Sequence, residues 1–150
     1  MRVFEGADEL RAAAGEVLGT SDWMLVDQAR IDAFADASDD HQWIHVNPQL
    51  AAAGPFGRTV AHGLLTLSLV PAMHGSIFRV HGARLMINYG LNKVRYPAPV
   101  PSGSKVRGTA TLVKVEAVEG GVQATLSTTV EVEGSAKPVC VCESVLRLVL

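Results

Sequence analysis

The segment from His62 to Phe78 sets the strongest condition on the fold of this chain. Leu64, Leu65, Leu67, Leu69, Val70, Ala72, Met73 and Ile77 would place apolar side chains nearly all round a helix, and such a helix has to be buried on every side. The remainder of the chain must supply something that wraps it. Pro71, inside the segment, has no N–H to donate and is expected to kink the helix.

The C-terminal half of the chain is suited to wrapping. After Val80 the hydrophobic period changes from helical to two, giving extended segments over Arg84 to Tyr96, Lys105 to Val118, Val122 to Glu133 and Val139 to Leu150. Turn-forming residues separate them at Pro97 to Gly103, Glu119-Gly120-Gly121 and Gly134-Ser135. In the third segment Val122, Ala124, Leu126, Thr128, Val130 and Val132 alternate with Gln123, Thr125, Ser127, Thr129, Glu131 and Glu133, the pattern of an antiparallel strand with one wet face. With an early apolar run at Trp23 to Val26, the pattern predicts an α+β domain in which an antiparallel sheet of about five strands wraps a central apolar helix.

The N-terminal third reads as helical pieces. Ala7 to Leu18 is rich in helix formers but closely punctuated by glycine, which predicts a short helix. Asp27 is placed to cap a helix from Gln28 to Ala37, and Asn47-Pro48 to open another through Ala53. Between them Ser38 to Ile44 reads as a loop, and Trp43, Phe56 and Tyr89 as core or pocket wall.

At 150 residues the chain suits a single domain with its own core. Thirteen Lys and Arg against fifteen Asp and Glu give a net charge of −2, which argues against nucleic acid or an anionic membrane as partner and in favour of a small molecule. The N-terminus lacks the apolar core of a signal peptide, and no apolar run reaches the roughly 18 residues of a membrane span. Cys140 and Cys142 share one face of a strand and are expected to be reduced thiols, which suits the cytoplasm.

Chemistry concentrates just ahead of the apolar helix. Asp40 and His45 lie five residues apart in Asp40-His41-Gln42-Trp43-Ile44-His45, followed by Asn47-Pro48, Pro55-Phe56-Gly57 and Ala61-His62-Gly63-Leu64-Leu65. His41 and His45, with Asp39 and Asp40, would suit a metal only if the segment were helical, and the loop reading breaks that spacing. A carboxylate and an imidazole around one water can instead take a proton and deliver another.

In this order the motifs resemble those of the MaoC-like, or hydratase 2, family of (R)-specific enoyl-CoA hydratases, whose fold is the hot-dog fold. In that family an Asp and a His five residues apart precede an H-G motif at the start of the hot-dog helix. Asn88 to Arg95 also resembles a strand of one bacterial subgroup. The resemblance implies that Asp40 and His45 hold the attacking water and that the Gly63 amide stabilises the thioester oxyanion. His45 is favoured as base and Asp40 as proton donor to C2, although the sequence leaves the roles interchangeable. It further implies a homodimer joined edge to edge, an acyl chain lying along the central helix, and an acyl-CoA thioester as substrate with no metal or redox cofactor. Gln42 and Phe56 are candidate pocket residues. Lys93 and Arg95 on one strand face, and Lys105 and Arg107 on the next, are candidate contacts for the phosphates of coenzyme A.

The chain departs from the usual family pattern at two points. Gln42-Trp43 stands where many members have Asn-Pro, which keeps the Asp-to-His spacing but alters the pocket wall. Pro71 stands where some members carry a serine on the helix, and no role passes to it. Two other functions fit the same motifs: an acyl-CoA thioesterase on the same fold, and a non-catalytic acyl-binding accessory protein of the nodulation type.

Overall fold

In the computed structural model, which describes residues 1–150, the apolar run forms two helical segments, α5 (Gly63–Ser68) and α6 (Val70–Ile77), that meet at Leu69. This corrects the expectation of one helix kinked in its middle. Pro71 lies in the first turn of α6, where a missing N–H costs no intrahelical bond. The ladder tightens just before it, with Leu69 N–H donating to the Thr66 carbonyl three residues back at 3.3 Å.

The sheet provides the wrap. Strands β2 (Val17–Thr20), β3 (Met24–Val26), β5 (Leu85–Arg95), β6 (Ser104–Val118), β7 (Gly121–Val132) and β8 (Cys140–Val149) form one antiparallel sheet in the order β2-β6-β7-β8-β5. The short β3 pairs with β6 further along the same edge. A separate parallel pair, β1 (Arg2–Phe4) with β4 (Phe78–Val80), closes one end. The predicted strands are present, and Val122, Ala124, Leu126, Thr128 and Val130 are all buried, but the expected wet face is broken at Thr125, which is buried as well.

β2 corrects the reading of the N-terminal region. The first helix, α1, covers only Ala7–Ala12, and Val17 to Thr20 pairs with β6 through a bulge at Val17/Gly19. Gly19 adopts φ 151° and lies so close to α6 that a Cβ there would stand 3.3 Å from Ile77 Cγ2. A short segment with a central glycine carries almost no strand signal of its own, so only the partner strand makes it one.

Two apolar clusters fill the space between helices and sheet. One joins Phe4, Leu10 and Ile77 to Leu112, Leu126, Leu146 and Leu148; the other joins Val26, Ile31, Leu65, Val70 and Met73 to Val106, Val130, Cys140 and Cys142. Each fully buried leucine contributes roughly 2 kcal/mol by leaving water. Both cysteines are free and buried. Gly108 lets β6 pass beneath α6, since a Cβ there would lie 2.8 Å from Met73 Sδ. No helix is long and apolar enough to cross a membrane.

β5 is different. It pairs with β8 along one edge only, and Leu85, Met86, Ile87, Tyr89 and Leu91 are all exposed. Tyr89 is therefore outside the core, with the Arg147 guanidinium stacked 3.6 Å from its ring centre.

Candidate active site

Local sequence brings the site together in three moves. Asp27 Oδ1 accepts from the Arg30 amide at 2.9 Å and starts α2 (Gln28–Ser38). Asp39 ends it in a left-handed conformation with φ 59°, alone among the non-glycine residues, which turns the chain so that Asp40 to Gln42 can cross toward α5. A short helix, α3 (Trp43–Val46), then carries His45 in its only turn, where a loop was expected through Ile44. Asn47 Oδ1 accepts from the Leu50 amide at 3.0 Å and opens α4 (Pro48–Ala52) as predicted.

The segment returning through Val60 locks His45. Val60 donates its amide to the Ile44 carbonyl at 3.0 Å, and the Val60 carbonyl accepts from His45 Nδ1–H at 2.6 Å. Gln28 donates to the His45 carbonyl at 2.7 Å and accepts from the Thr59 hydroxyl. With Nδ1 carrying the proton, His45 Nε2 keeps its lone pair for chemistry. The ring is 7 % exposed, and burial pushes its pKa below the ordinary 6.5, helped by the neighbouring His62 and opposed by the Val60 carbonyl and Asp40. His45 is thus held neutral at neutral pH.

His62, given no role by the sequence, is built into the same cluster. Its ring stacks on His45 with centroids 3.8 Å apart, packs against Phe34 at 4.9 Å, and donates Nε2–H to the Asp40 backbone carbonyl at 2.9 Å. This leaves the Asp40 carboxylate exposed while its backbone is anchored. Asp40, His45 and His62 offer ligand atoms within 4.8 Å of one another, so the three form one compact polar centre. His41 is not part of this centre: it turns away to pair with Asp36 at 2.8 Å, which raises its pKa.

Gly63 opens α5 immediately after His62, and no side chain caps that helix, so its first amide has no intrahelical acceptor. The residue also lies under the Tyr96 ring, whose carbons would stand 2.8–2.9 Å from a Cβ. Gly63, Phe56, Thr66, Tyr96 and Val100 line a cleft of about 320 Å³. Phe56 is therefore pocket wall, at 47 % exposure. Gln42 is exposed at the start of α3, its amide 3.4 Å from Asp40 Oδ1. Lys93 and Arg95 are exposed on β5 outside that cleft. Arg107 is committed to Glu131 at 2.6 Å and to the Trp23 ring.

A sheet wrapped around a buried helical pair, with an Asp/His centre at the helix start, defines a hot-dog domain of the dehydratase type. The MaoC like domain model matches residues 9–134, and the chain belongs to that family. It is 61% identical over 150 residues, 99% of both chains, to the 3-hydroxyacyl-thioester dehydratase Z of Mycobacterium tuberculosis (strain ATCC 25618 / H37Rv). It is 46% identical over 127 residues, 83% of this chain and 79% of the other, to nodulation protein N of Rhizobium leguminosarum bv. viciae. The structure of the (R)-hydratase from A. caviae involved in PHA biosynthesis superposes with a TM-score of 0.72 at 26% identity, covering 89% of this chain and 96% of that one.

Proposed function

We infer that this chain is a 3-hydroxyacyl-thioester dehydratase acting reversibly as an (R)-specific 2-enoyl-CoA hydratase. The observation that carries the reading is the orientation of His45: Nδ1–H is fixed on Val60, which leaves the Nε2 lone pair in a cluster with Asp40 at the start of the helix that bears Gly63. In the hydration direction His45 Nε2 takes a proton from water as the oxygen bonds to C3 of the enoyl thioester. The π electrons move toward the thioester carbonyl, and the Gly63 N–H meets the charge that develops on its oxygen, a contribution of about 3 kcal/mol per donor in well-studied enzymes. Asp40, entering this direction as the carboxylic acid, gives its proton to C2 as the carbonyl re-forms, and the proton that His45 took from water returns to Asp40 through solvent to reset the pair. Dehydration runs the same steps in reverse.

The exposed apolar edge strand β5 supports a homodimer, because an open edge with Leu85, Ile87 and Leu91 uncovered is a template for a second copy. Gln42 and Phe56 would border the reacting end, and the exposed Lys93 and Arg95 would meet coenzyme A phosphates outside the cleft. The acyl chain would run along α5 and α6.

The test is loss of enoyl-thioester absorbance with crotonyl-CoA, beside Asp40→Asn and His45→Gln, with chiral analysis of the product. Formation of the (R)-3-hydroxy product that collapses in both variants supports the reading. Release of free thiol instead would point to a thioesterase. A second reading, for a chain that is also similar to nodulation protein N, is acyl binding without turnover; tight binding of acyl-CoA unaffected by Asp40→Asn, with no product, would establish it.

A further inference from the structure

A second cleft, about 270 Å³, lies further along the same helical pair, between it and strands β5 and β8. Leu67, Val70 and Leu91 give it apolar walls, while His74, Asn88 and Ser144 bring polar groups into it. Two of these are unusual for a site that holds only hydrocarbon. His74 is 2 % exposed and Ser144 6 %, yet neither His74 Nδ1 nor Ser144 Oγ has a hydrogen-bond partner. Buried orphan polar atoms are rare in folded proteins, and each one asks for an explanation. His74 cannot readily turn to find a partner, since its Nε2 is paired with the Thr128 hydroxyl at 2.8 Å. Ser144 lies between the buried Cys142 and Leu146 on the inward positions of β8.

The cleft is in line with the reacting end. Gly63, Leu67, Val70 and His74 recur at helical spacing, which places them along one stripe of the helical pair. From Gly63 to His74 the stripe advances roughly 16 Å, about the length of an extended chain of thirteen or fourteen atoms, so that an oxygen at the end of a twelve-carbon chain comes close to its far end. A purely hydrocarbon tail reaching that depth would leave both orphans unsatisfied. A tail carrying an oxygen would complete them, because a hydroxyl or keto oxygen can accept from Ser144 and pair with His74 Nδ1.

We propose that this cleft takes the distal part of the acyl chain and that His74 and Ser144 recognise an oxygen borne on it, so that the preferred substrates are medium-length enoyl thioesters with a hydroxyl or keto group near the far end. The inference rests on the dehydratase reading for the chemistry, but the recognition itself can be tested without turnover.

The experiment compares kcat/KM for trans-2-dodecenoyl-CoA with that for its terminal-hydroxyl and penultimate-keto analogues, and measures binding of the corresponding saturated thioesters by calorimetry. An oxygenated chain should be favoured at least about tenfold over the plain one. That ratio should fall toward unity in Ser144→Ala and in His74→Leu, and Ser144→Ala should melt at higher temperature because it removes an orphan hydroxyl. A wild-type protein that binds and hydrates the plain chain as well as the oxygenated ones overturns the inference, and so does a preference that survives both substitutions. Crotonyl-CoA run alongside separates the two failures. Its hydration without any oxygen preference removes this inference alone. If neither crotonyl-CoA nor trans-2-dodecenoyl-CoA is hydrated, the dehydratase reading fails while the calorimetric ratio still decides the question of the oxygen.

Discussion

The imidazole rings of His45 and His62 lie face to face, their centroids 3.8 Å apart and their planes 26° from parallel. His62 so close is among the causes that hold the His45 pKa down. The same His62 fixes the Asp40 carbonyl through Nε2–H. In the proposed mechanism His62 is thus a positioning residue that acts on both members of the pair. Replacing it with Phe keeps a ring in the stack but removes the hydrogen bond and the repulsion. We expect kcat to fall roughly tenfold, the worth of one lost hydrogen bond, with KM little changed, and the acid limb of the pH profile to move up toward the ordinary histidine value. A ring that served packing alone would leave that limb where it is.

The proposed catalytic pair has its own pH signature. The proposed base, His45, acts in its neutral form, and its pKa is lowered from 6.5 chiefly by burial. Hydratase kcat/KM should therefore be level through neutrality and decline only below about 6.5. Asp40→Asn and His45→Gln should each lose about 10²–10⁴-fold in kcat. Circular dichroism of Asp40→Asn should match the wild type, since the Asp40 side chain is exposed and its anchor is the backbone carbonyl.

Gly63→Ala tests the close approach of Tyr96. The new Cβ would meet ring carbons at 2.8–2.9 Å, and overpacking of that kind typically costs about 1–3 kcal/mol. Thermal unfolding should show the loss. The double variant Gly63→Ala/Tyr96→Ala should recover part of it relative to the sum of the single changes, because the clash is gone.

β5 predicts the oligomeric state. Ile87→Asp puts a charge on the open edge strand, where the side chain is 41 % exposed and makes no contribution to either core cluster. Sedimentation should show the wild type as a dimer and the variant shifted to monomer, with its far-UV spectrum unchanged. A wild-type monomer at micromolar concentration would remove the dimer.

His74 predicts a stability window. Its pKa is lowered from 6.5 to about 4 by burial, so the unfolded chain binds the proton more readily than the folded one between those values. Stability is full above pH 6.5 and is lost as pH falls toward 4, by up to about 3 kcal/mol from this group. In His74→Leu that part of the acid loss should vanish, and denaturant titrations of both proteins between pH 7 and pH 4 measure the difference.

Much of the site was legible in the order of residues. Asp27 and Asn47 as caps, Pro48 in a first turn, the alternation of Val122 to Val130, and Asp40 with His45 ahead of Gly63 all follow from local chemistry that a sequence displays directly. His62, Gln28 and Thr59 were not legible as site residues. Each acts through a partner remote in the chain: His62 through the Asp40 carbonyl, Gln28 through the His45 carbonyl and the Thr59 hydroxyl. Backbone carbonyls leave no mark on a sequence. β2 was hidden for a related reason, since four residues around Gly19 become a strand only against β6.

By itself, then, the amino-acid order determined that an apolar helical segment had to be wrapped by an alternating sheet and that Asp40 and His45 would lie near its start. Periodicity and capping act over a few residues and need no partner. Tertiary structure alone decided which nitrogen of His45 carries the proton, that His62 stacks beside it, that the helix divides at Leu69, and that β5 keeps both its edge and its apolar side chains in the open. Those outcomes depend on contacts between residues far apart in the chain, whose distances and burial exist only once the sheet has closed around the helices.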